Sequence, residues 1–267
     1  MALTACLGLR DRDSHVPLEN KGQATSLSIF TFNIMTSFDL LNLQHYPPWI
    51  QRKAEVLRII EAQNADLLSI QESSPGQLRE LRARLQDTYT IVANVNYTPD
   101  AIVAFKKDRF TLLERGHWGL GDPYVPLFRR IAIWVKLEDK ASGRQFLFAG
   151  THLDGRPIKN KEAKRIKSQL EEERASGAPL FLTGDFNIAP DEEGYPILLS
   201  DGWKDSFPSG QPDQPTFPRI HLQRRIDHVL YFGDQIHIQE WRTVGKKEAR
   251  ISDHLPVLVK VQIDATP

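Results

Sequence analysis

Polar side chains able to bind a metal ion or a phosphate recur at the ends of apolar runs in this chain. Asn33 closes SLSIFTFN, Glu72 closes ADLLSIQE, His152 and Asp154 close QFLFAGTHLD, and Asp185 with Asn187 close PLFLTGDFN. Asp227 in RRIDHVLYF and Asp253-His254 in ISDHLPVLVKV stand instead just before or at the start of an apolar run. Each piece alone is ordinary turn or strand-end chemistry. Taken together they form an oxygen-rich donor set without a Cys or His cage, which suits a hard cation such as Mg²⁺ or Mn²⁺ rather than zinc. The chain has no glycine-rich phosphate loop, no G-x-S-x-G elbow and no reactive Cys, so nucleoside-triphosphate motors, serine esterases and thiol enzymes have no motif here.

These groups need a scaffold that brings them to one place. Strand-like runs cover Leu27 to Phe32, Ala65 to Ile70, Tyr89 to Val95, Ala101 to Phe105, Ile131 to Leu137, Gln145 to Ala149, Pro179 to Thr183, His228 to Phe232 and Leu255 to Ile263. Helical patterns cover Pro48 to Gln63, with Ile50, Ala54, Leu57 and Ile60 as the buried face, Gln77 to Leu85, with Leu78, Leu81 and Leu85, and Lys161 to Ser176, with Ala163, Ile166 and Leu170. In a purely parallel sheet, strand starts and strand ends lie on opposite edges. In a mixed sheet the start of one strand lies beside the end of its antiparallel neighbour, so all six groups can meet on one edge. The expected fold is therefore α/β, with two packed mixed β-sheets flanked by helices, and not a doubly wound nucleotide-binding sheet.

Lys and Arg total 34 and Asp and Glu total 34 over 267 residues, so no global charge draws the chain to polyanions and any nucleic-acid contact must rest on a local patch. The longest apolar runs, such as IAIWV and PLFL, are strand-sized, so the expectation is a soluble body, cytoplasmic or exported, without a transmembrane segment. Residues 1 to about 25 lack apolar periodicity and read as a mobile tail, leaving 26–265 as one domain and a monomer as the simplest state. The single cysteine, Cys6, excludes an internal disulfide. Leu3-Thr4-Ala5-Cys6 has the form of a bacterial lipoprotein cleavage box, but the basic and apolar leader that should precede it is missing.

The ordered set TFN, QE, GTHLD, TGDFN, RRIDHVL and SDHLPV, from about Ser28 to Ile263, resembles the endonuclease/exonuclease/phosphatase superfamily, the deoxyribonuclease I-like metal-dependent phosphoesterases. The resemblance implies a four-layer sandwich, Mg²⁺ or Mn²⁺ as cofactor, and hydrolysis of a phosphate ester by in-line attack of water. It also implies roles. Glu72, with Asn33 and Asp253, is similar to the metal-binding set, and His254 resembles the catalytic histidine oriented by Asp227. Asp185 resembles the residue that aligns or deprotonates the water, Asn187 a donor to the phosphoryl oxygens, and His152 the second histidine.

Substrate choice lies outside these motifs, and members of the superfamily act on DNA, RNA, lipid and small phosphate esters. Met35 stands where abasic-site repair members carry Asp or Asn, and THLD resembles the deadenylase and sphingomyelinase branches. Arg129, Arg130 and Arg165 are candidate substrate contacts, and Arg156, Lys159, Lys161, Lys164, Arg165 and Lys167 form a basic run diluted by Glu171, Glu172 and Glu173. Tyr46, Trp49, Trp118, Tyr124 and Phe128 can stack on a base, meet a lipid interface or serve as core anchors. The expectation is thus a phosphodiesterase acting on nucleic acid, phospholipid or a small phosphodiester. The alternative is a protein that keeps the fold and binds a phosphorylated ligand with little turnover.

Overall fold

The computed structural model describes residues 16–37, 46–94, 100–121, 130–219, 222–245 and 250–266. The first sheet uses β1 (Thr25–Asn33), β2 (Leu67–Gln71), β3 (Tyr89–Ala93), β4 (Ala101–Lys106), β13 (Ile236–Thr243) and β14 (Val257–Ile263), in the order β13-β14-β1-β2-β4-β3. The second uses β5 (Phe110–Gly119), β6 (Ile131–Asp139), β7 (Gln145–His152), β8 (Leu180–Asp185), β9 (Lys204–Asp205) and β12 (Asp227–Phe232), in the order β5-β6-β7-β8-β12-β9. A short hairpin, β10 (Phe217–Arg219) with β11 (Leu222–Arg224), stands apart from both.

Four layers result. Ile29, Val103, Phe148, Phe181 and Val259 pack between the sheets. Helices α1 (Trp49–Gln63) and α2 (Pro75–Leu85) cover the first sheet through Val56, Ile60, Leu78 and Leu81, while α3 (Lys159–Arg174) and the short α4 (Gly194–Leu198) cover the second through Ala163, Ile166, Leu170 and Leu198. Helix α2 starts in a capping box: Ser74 accepts from the Gln77 amide, the Gln77 side chain accepts from the Ser74 amide, and Pro75 follows the cap.

The two sheets share a design that places the candidate residues. Each has one parallel pair, β1 with β2 and β7 with β8, and in each an antiparallel strand flanks the pair, β14 beside β1 and β12 beside β8. The register sets His152 opposite Asp185, and Asp185 opposite Asp227. Strand ends and strand starts therefore meet on one edge, as a mixed topology requires.

Three expectations change. Strands β5 and β13 escaped the sequence reading because they lie at sheet edges, where one face meets solvent and charges interrupt the alternation; the short β9, β10 and β11 carry too few residues to show any. Helix α1 buries Arg52, Val56, Ile59 and Ile60, not the stripe through Ile50 and Ala54, and Ile50 is 67% exposed. The boundary expected near residue 25 is also too late, because residues 16–24 lie along the body. Leu18 is buried, the Val16 carbonyl accepts from the buried Lys136, and Gly22 bridges to Thr266. Cys6 lies outside the described residues.

Candidate active site

The site is built around the carboxylate of Asp185, buried at the end of β8. Its Oδ2 accepts from Asn33 Nδ2 at 3.0 Å and lies 3.6 Å from His254 Nε2 and 3.5 Å from His152 Nε2. Its Oδ1 accepts from the Asn187 amide at 2.8 Å, which fixes the following turn. Two imidazoles thus converge on one oxygen.

Each imidazole has a carboxylate behind it. His254 Nδ1 lies 2.8 Å from Asp227 Oδ2, and His152 Nδ1 lies 3.1 Å from Asp100 Oδ1. A bond at Nδ1 leaves Nε2 facing Asp185 and holds the ring in one orientation. Burial alone would lower the His254 pKa, but the charges of Asp227 and Asp185 and the hydrogen bond His254 donates to Asp227 push it up to about 10. Burial and the nearby Arg130 act to lower the His152 pKa, but Asp100 and Asp185 together outweigh them and raise it. Burial would raise Asp100, yet His152 and Arg130 hold it well below the usual carboxylate range.

The carboxylate of Glu72 approaches from the first sheet. Asn33 Nδ2 donates to Glu72 Oε1 at 3.0 Å as well as to Asp185, and Thr36 N donates to Glu72 Oε2 at 3.2 Å, so one amide nitrogen joins the two carboxylates. Glu72 sits at φ +59°, a left-handed residue directly after β2. Asp253 is buried beside His254, in the turn where Ser252 Oγ donates to the Asn33 carbonyl at 2.6 Å. Behind this half stands Arg52, 2% exposed, which donates to the carbonyls of Ile34, Met35, Pro47 and Ile251 and so ties the segment after β1 to the segment before β14. Burial lowers its pKa, with Asp253 and Glu72 acting in the opposite sense.

Cation ligands are plentiful here. Asp185, Asp227 and His254 can each offer an atom within 4.8 Å of the others, and Asp227 Oδ1 is buried without a hydrogen bond among the described residues. Such an orphaned carboxylate oxygen in a cluster of acids fits a bound hard cation.

Of the residues singled out from sequence, Asn33, Glu72, His152, Asp185, Asn187, Asp227, Asp253 and His254 lie on this one edge. Asn187 Nδ2 donates to the Leu153 carbonyl and lies 3.3 Å from His152 Nε2. The three candidate substrate arginines fare differently. Arg129 lies outside the described residues, together with Tyr124 and Phe128. Arg130 is paired with Asp100 and lies 2.9 Å from His152 Nδ1, so it supports the histidine. Arg165 Nη1 donates to the carbonyls of Leu120 and Gly121, which makes it a tie between α3 and the end of β5.

Much of the basic run is committed to the fold in the same way. Arg156 caps Asp154, Lys159 bonds Glu192 and the Asn187 carbonyl, and Lys167 donates to the carbonyls of Leu198 and Ser200. Trp49 bonds Glu80, and the buried Trp118 stacks on Trp134. Asp100 and Arg52 were missed by the sequence reading. Asp100 had a signal: like Asp227 and Asp253, it is an acid just ahead of an apolar strand, AIVAFK.

Comparison with known proteins agrees with this geometry. A sequence profile described as the endonuclease/exonuclease/phosphatase family matches residues 31–254. Nocturnin of Mus musculus is 29% identical over 206 residues, 68% of this chain and 48% of that protein. Protein angel of Drosophila melanogaster is 25% identical over 203 residues, 66% of this chain and 56% of that protein. The chain therefore spans about half the length of the curated relatives it matches. A solved endonuclease/exonuclease/phosphatase structure from Bacteroides vulgatus superimposes with a TM-score of 0.76 at 25% identity, covering 90% of this chain and all of that one.

Proposed function

Because the chain belongs to the endonuclease/exonuclease/phosphatase family, we propose that it is a Mg²⁺- or Mn²⁺-dependent phosphoesterase that cleaves a phosphodiester by in-line attack of water. The observation that carries the reading is the convergence of His254, backed by Asp227, and His152, backed by Asp100, on the Asp185 carboxylate.

Glu72, Asn33 and Asp253 would hold the cation, with Asp185 at its border through the shared Asn33 amide. We assign His254 to chemistry rather than ligation, since its Nδ1 is committed to Asp227 and its Nε2 faces Asp185. When bound, the cation supplies Lewis-acid stabilisation of charge on the phosphoryl oxygens. Asp185 accepts the proton of the attacking water and orients its lone pair toward phosphorus. His254, held cationic by Asp227, donates to the phosphoryl oxygens as negative charge grows, and His152, held cationic by Asp100, gives its proton to the leaving alkoxide as the P–O bond to it breaks. Asn187 adds a neutral donor beside His152. Asp227 and Asp100 keep both rings aimed and offset the charge on each imidazole.

The test is hydrolysis of bis(p-nitrophenyl) phosphate, single-stranded RNA and DNA, sphingomyelin and inositol phosphates, with Mg²⁺ or Mn²⁺ and with chelator. Chelator-sensitive cleavage that disappears in His254→Ala supports the reading. Cleavage indifferent to chelator, or undiminished in His254→Ala, overturns it.

A further inference from the structure

The two sheets end side by side in the edge strands β3 and β5, and a groove of about 450 Å³ opens between them. Arg82 reaches it from α2, Arg115 and His117 from β5, and Asn94 from the end of β3, while Val92 and Ile133 form an apolar floor. Among the described residues its lining contains no carboxylate. The strand geometry explains the convergence. A Cβ on Gly116 would meet the Trp134 ring at 2.4 Å, so Gly116 faces the α3 side and its neighbours Arg115 and His117 face the first sheet.

Many arginines elsewhere among the described residues are consumed by the fold. Arg52, Arg109, Arg130, Arg144, Arg165 and Arg225 all bond to carbonyls or carboxylates. Arg82 and Arg115 bond no side chain or carbonyl among the described residues. Two guanidiniums with no bonded partner among the described residues, one from α2 and one from β5, share one cavity and repel each other, and an anion between them removes that cost.

The groove lies in line with the catalytic edge. Val92 pairs with Val103 and His117 pairs with Ile133. Those partners stand three residues, roughly 10 Å of strand, from Asp100 and from Arg130, which support His152. We propose that this groove is a subsite for the sugar-phosphate backbone of a single-stranded nucleic acid, one unit or more away from the bond that is cut. The arginines take a flanking phosphate, and the apolar floor takes the adjoining sugar or base face. A lipid interface would call for an exposed apolar rim, and among the described residues the large hydrophobic side chain left strongly exposed is Ile50, on α1 and not in this groove. The inference rests on the phosphodiesterase reading and names the substrate class.

The probes are fluorescein-labelled single-stranded RNA and DNA oligonucleotides, followed by anisotropy over a range of salt concentrations. The host is the His254→Ala protein, so that binding is read without cleavage. Adding Arg82→Ala with Arg115→Ala should weaken oligonucleotide binding at least about tenfold and flatten the log–log salt slope by about 1.4, the loss of two single-strand phosphate contacts. Arg82→Lys with Arg115→Lys should keep most of the slope, because charge and not shape sets it. In the otherwise unaltered protein, the alanine pair should leave hydrolysis of bis(p-nitrophenyl) phosphate unchanged. Unchanged oligonucleotide affinity and slope would overturn the subsite, as would binding of anionic phospholipid vesicles, in place of oligonucleotides, that depends on the two arginines. Absence of any hydrolysis by the unaltered protein would instead strike the phosphodiesterase reading, and the anisotropy result would still decide the groove.

Discussion

Asp185 is the residue on which the site turns, because two histidines reach its Oδ2, each held from behind by its own acid. Removing one imaginable proton donor should cost what positioned acid–base groups contribute. His254→Ala is expected to lose about 10²- to 10⁴-fold in kcat while still folding, with a melting temperature below the parent's because Asp227 loses its buried partner. Asp100→Asn probes the less obvious half of the pair. It keeps the shape but removes the charge behind His152, and a loss of about 10- to 100-fold in kcat with a shift of the pH–rate profile to lower pH is expected. Steady-state kinetics from pH 5 to pH 9 decides, and a profile identical to the parent's would remove Asp100 from the machinery. The residues that sequence reading found here are those whose chemistry is local to a motif. Arg52 stayed hidden, as did the partners of Arg130, because a guanidinium's partners are carbonyls and carboxylates far away in the chain.

At the scale of elements, two glycines in the motifs are steric requirements. Gly184 has φ +136°, and a Cβ there would sit 1.9 Å from the Thr151 carbonyl oxygen, on the neighbouring parallel strand. Gly150 lies where a Cβ would meet Ser69 Oγ at 2.6 Å and Val103 at 2.7 Å, across the gap between the sheets. Both allow β7 to come close enough for His152 to face Asp185. Gly184→Ala is therefore expected to destabilise the fold by about 2 kcal/mol or more, from strained backbone plus overpacking. Urea unfolding measures this, and a change below about 0.5 kcal/mol would show that the strands can part without cost. The swap of faces on α1 belongs to this scale too. Its sequence carries two apolar stripes, and the four carbonyls waiting for Arg52 select the one that buries it.

For the whole molecule, charge pairs set the pH range of stability. Asp100 and Asp205 are held below the ordinary carboxylate range against the effect of burial, Asp100 by His152 and Arg130 and Asp205 by His228 and Arg225. Their contribution is full above the unfolded value near about 3.9 and is lost as pH falls below it. His254 has the opposite sign. Its folded value of about 10 lies above the unfolded value of about 6.5, so its contribution is full below that and fades as pH rises. In chelator, the melting temperature should therefore be highest between about pH 4 and pH 6.5 and fall on both sides. Asp227→Asn should flatten the alkaline fall, and a melting temperature in that variant that drops as steeply as the parent's above pH 7 would contradict the assignment. Added Mg²⁺ should raise the parent's melting temperature with concentration, as any ligand of the native state does. That rise should shrink in Glu72→Gln, and thermal shift against Mg²⁺ concentration reads both.

The sequence by itself determined which residues can do chemistry and which kind of sheet must carry them. Donors at strand ends mixed with donors at strand starts admit a mixed topology and exclude a purely parallel one, and the register of β7, β8 and β12 bears that out. Local order was legible wherever a pattern is local: the apolar faces of α2 and α3 and the central strands. Tertiary structure alone decided the rest. Whether an arginine meets a carbonyl, a carboxylate or open groove depends on segments far apart in the chain, as with Arg52 and Ile251 or Arg165 and Leu120. The pairing of His152 with Asp100 and the opening between β3 and β5 have the same origin, since both arise only when two sheets, each complete in its own hydrogen bonds, pack face to face.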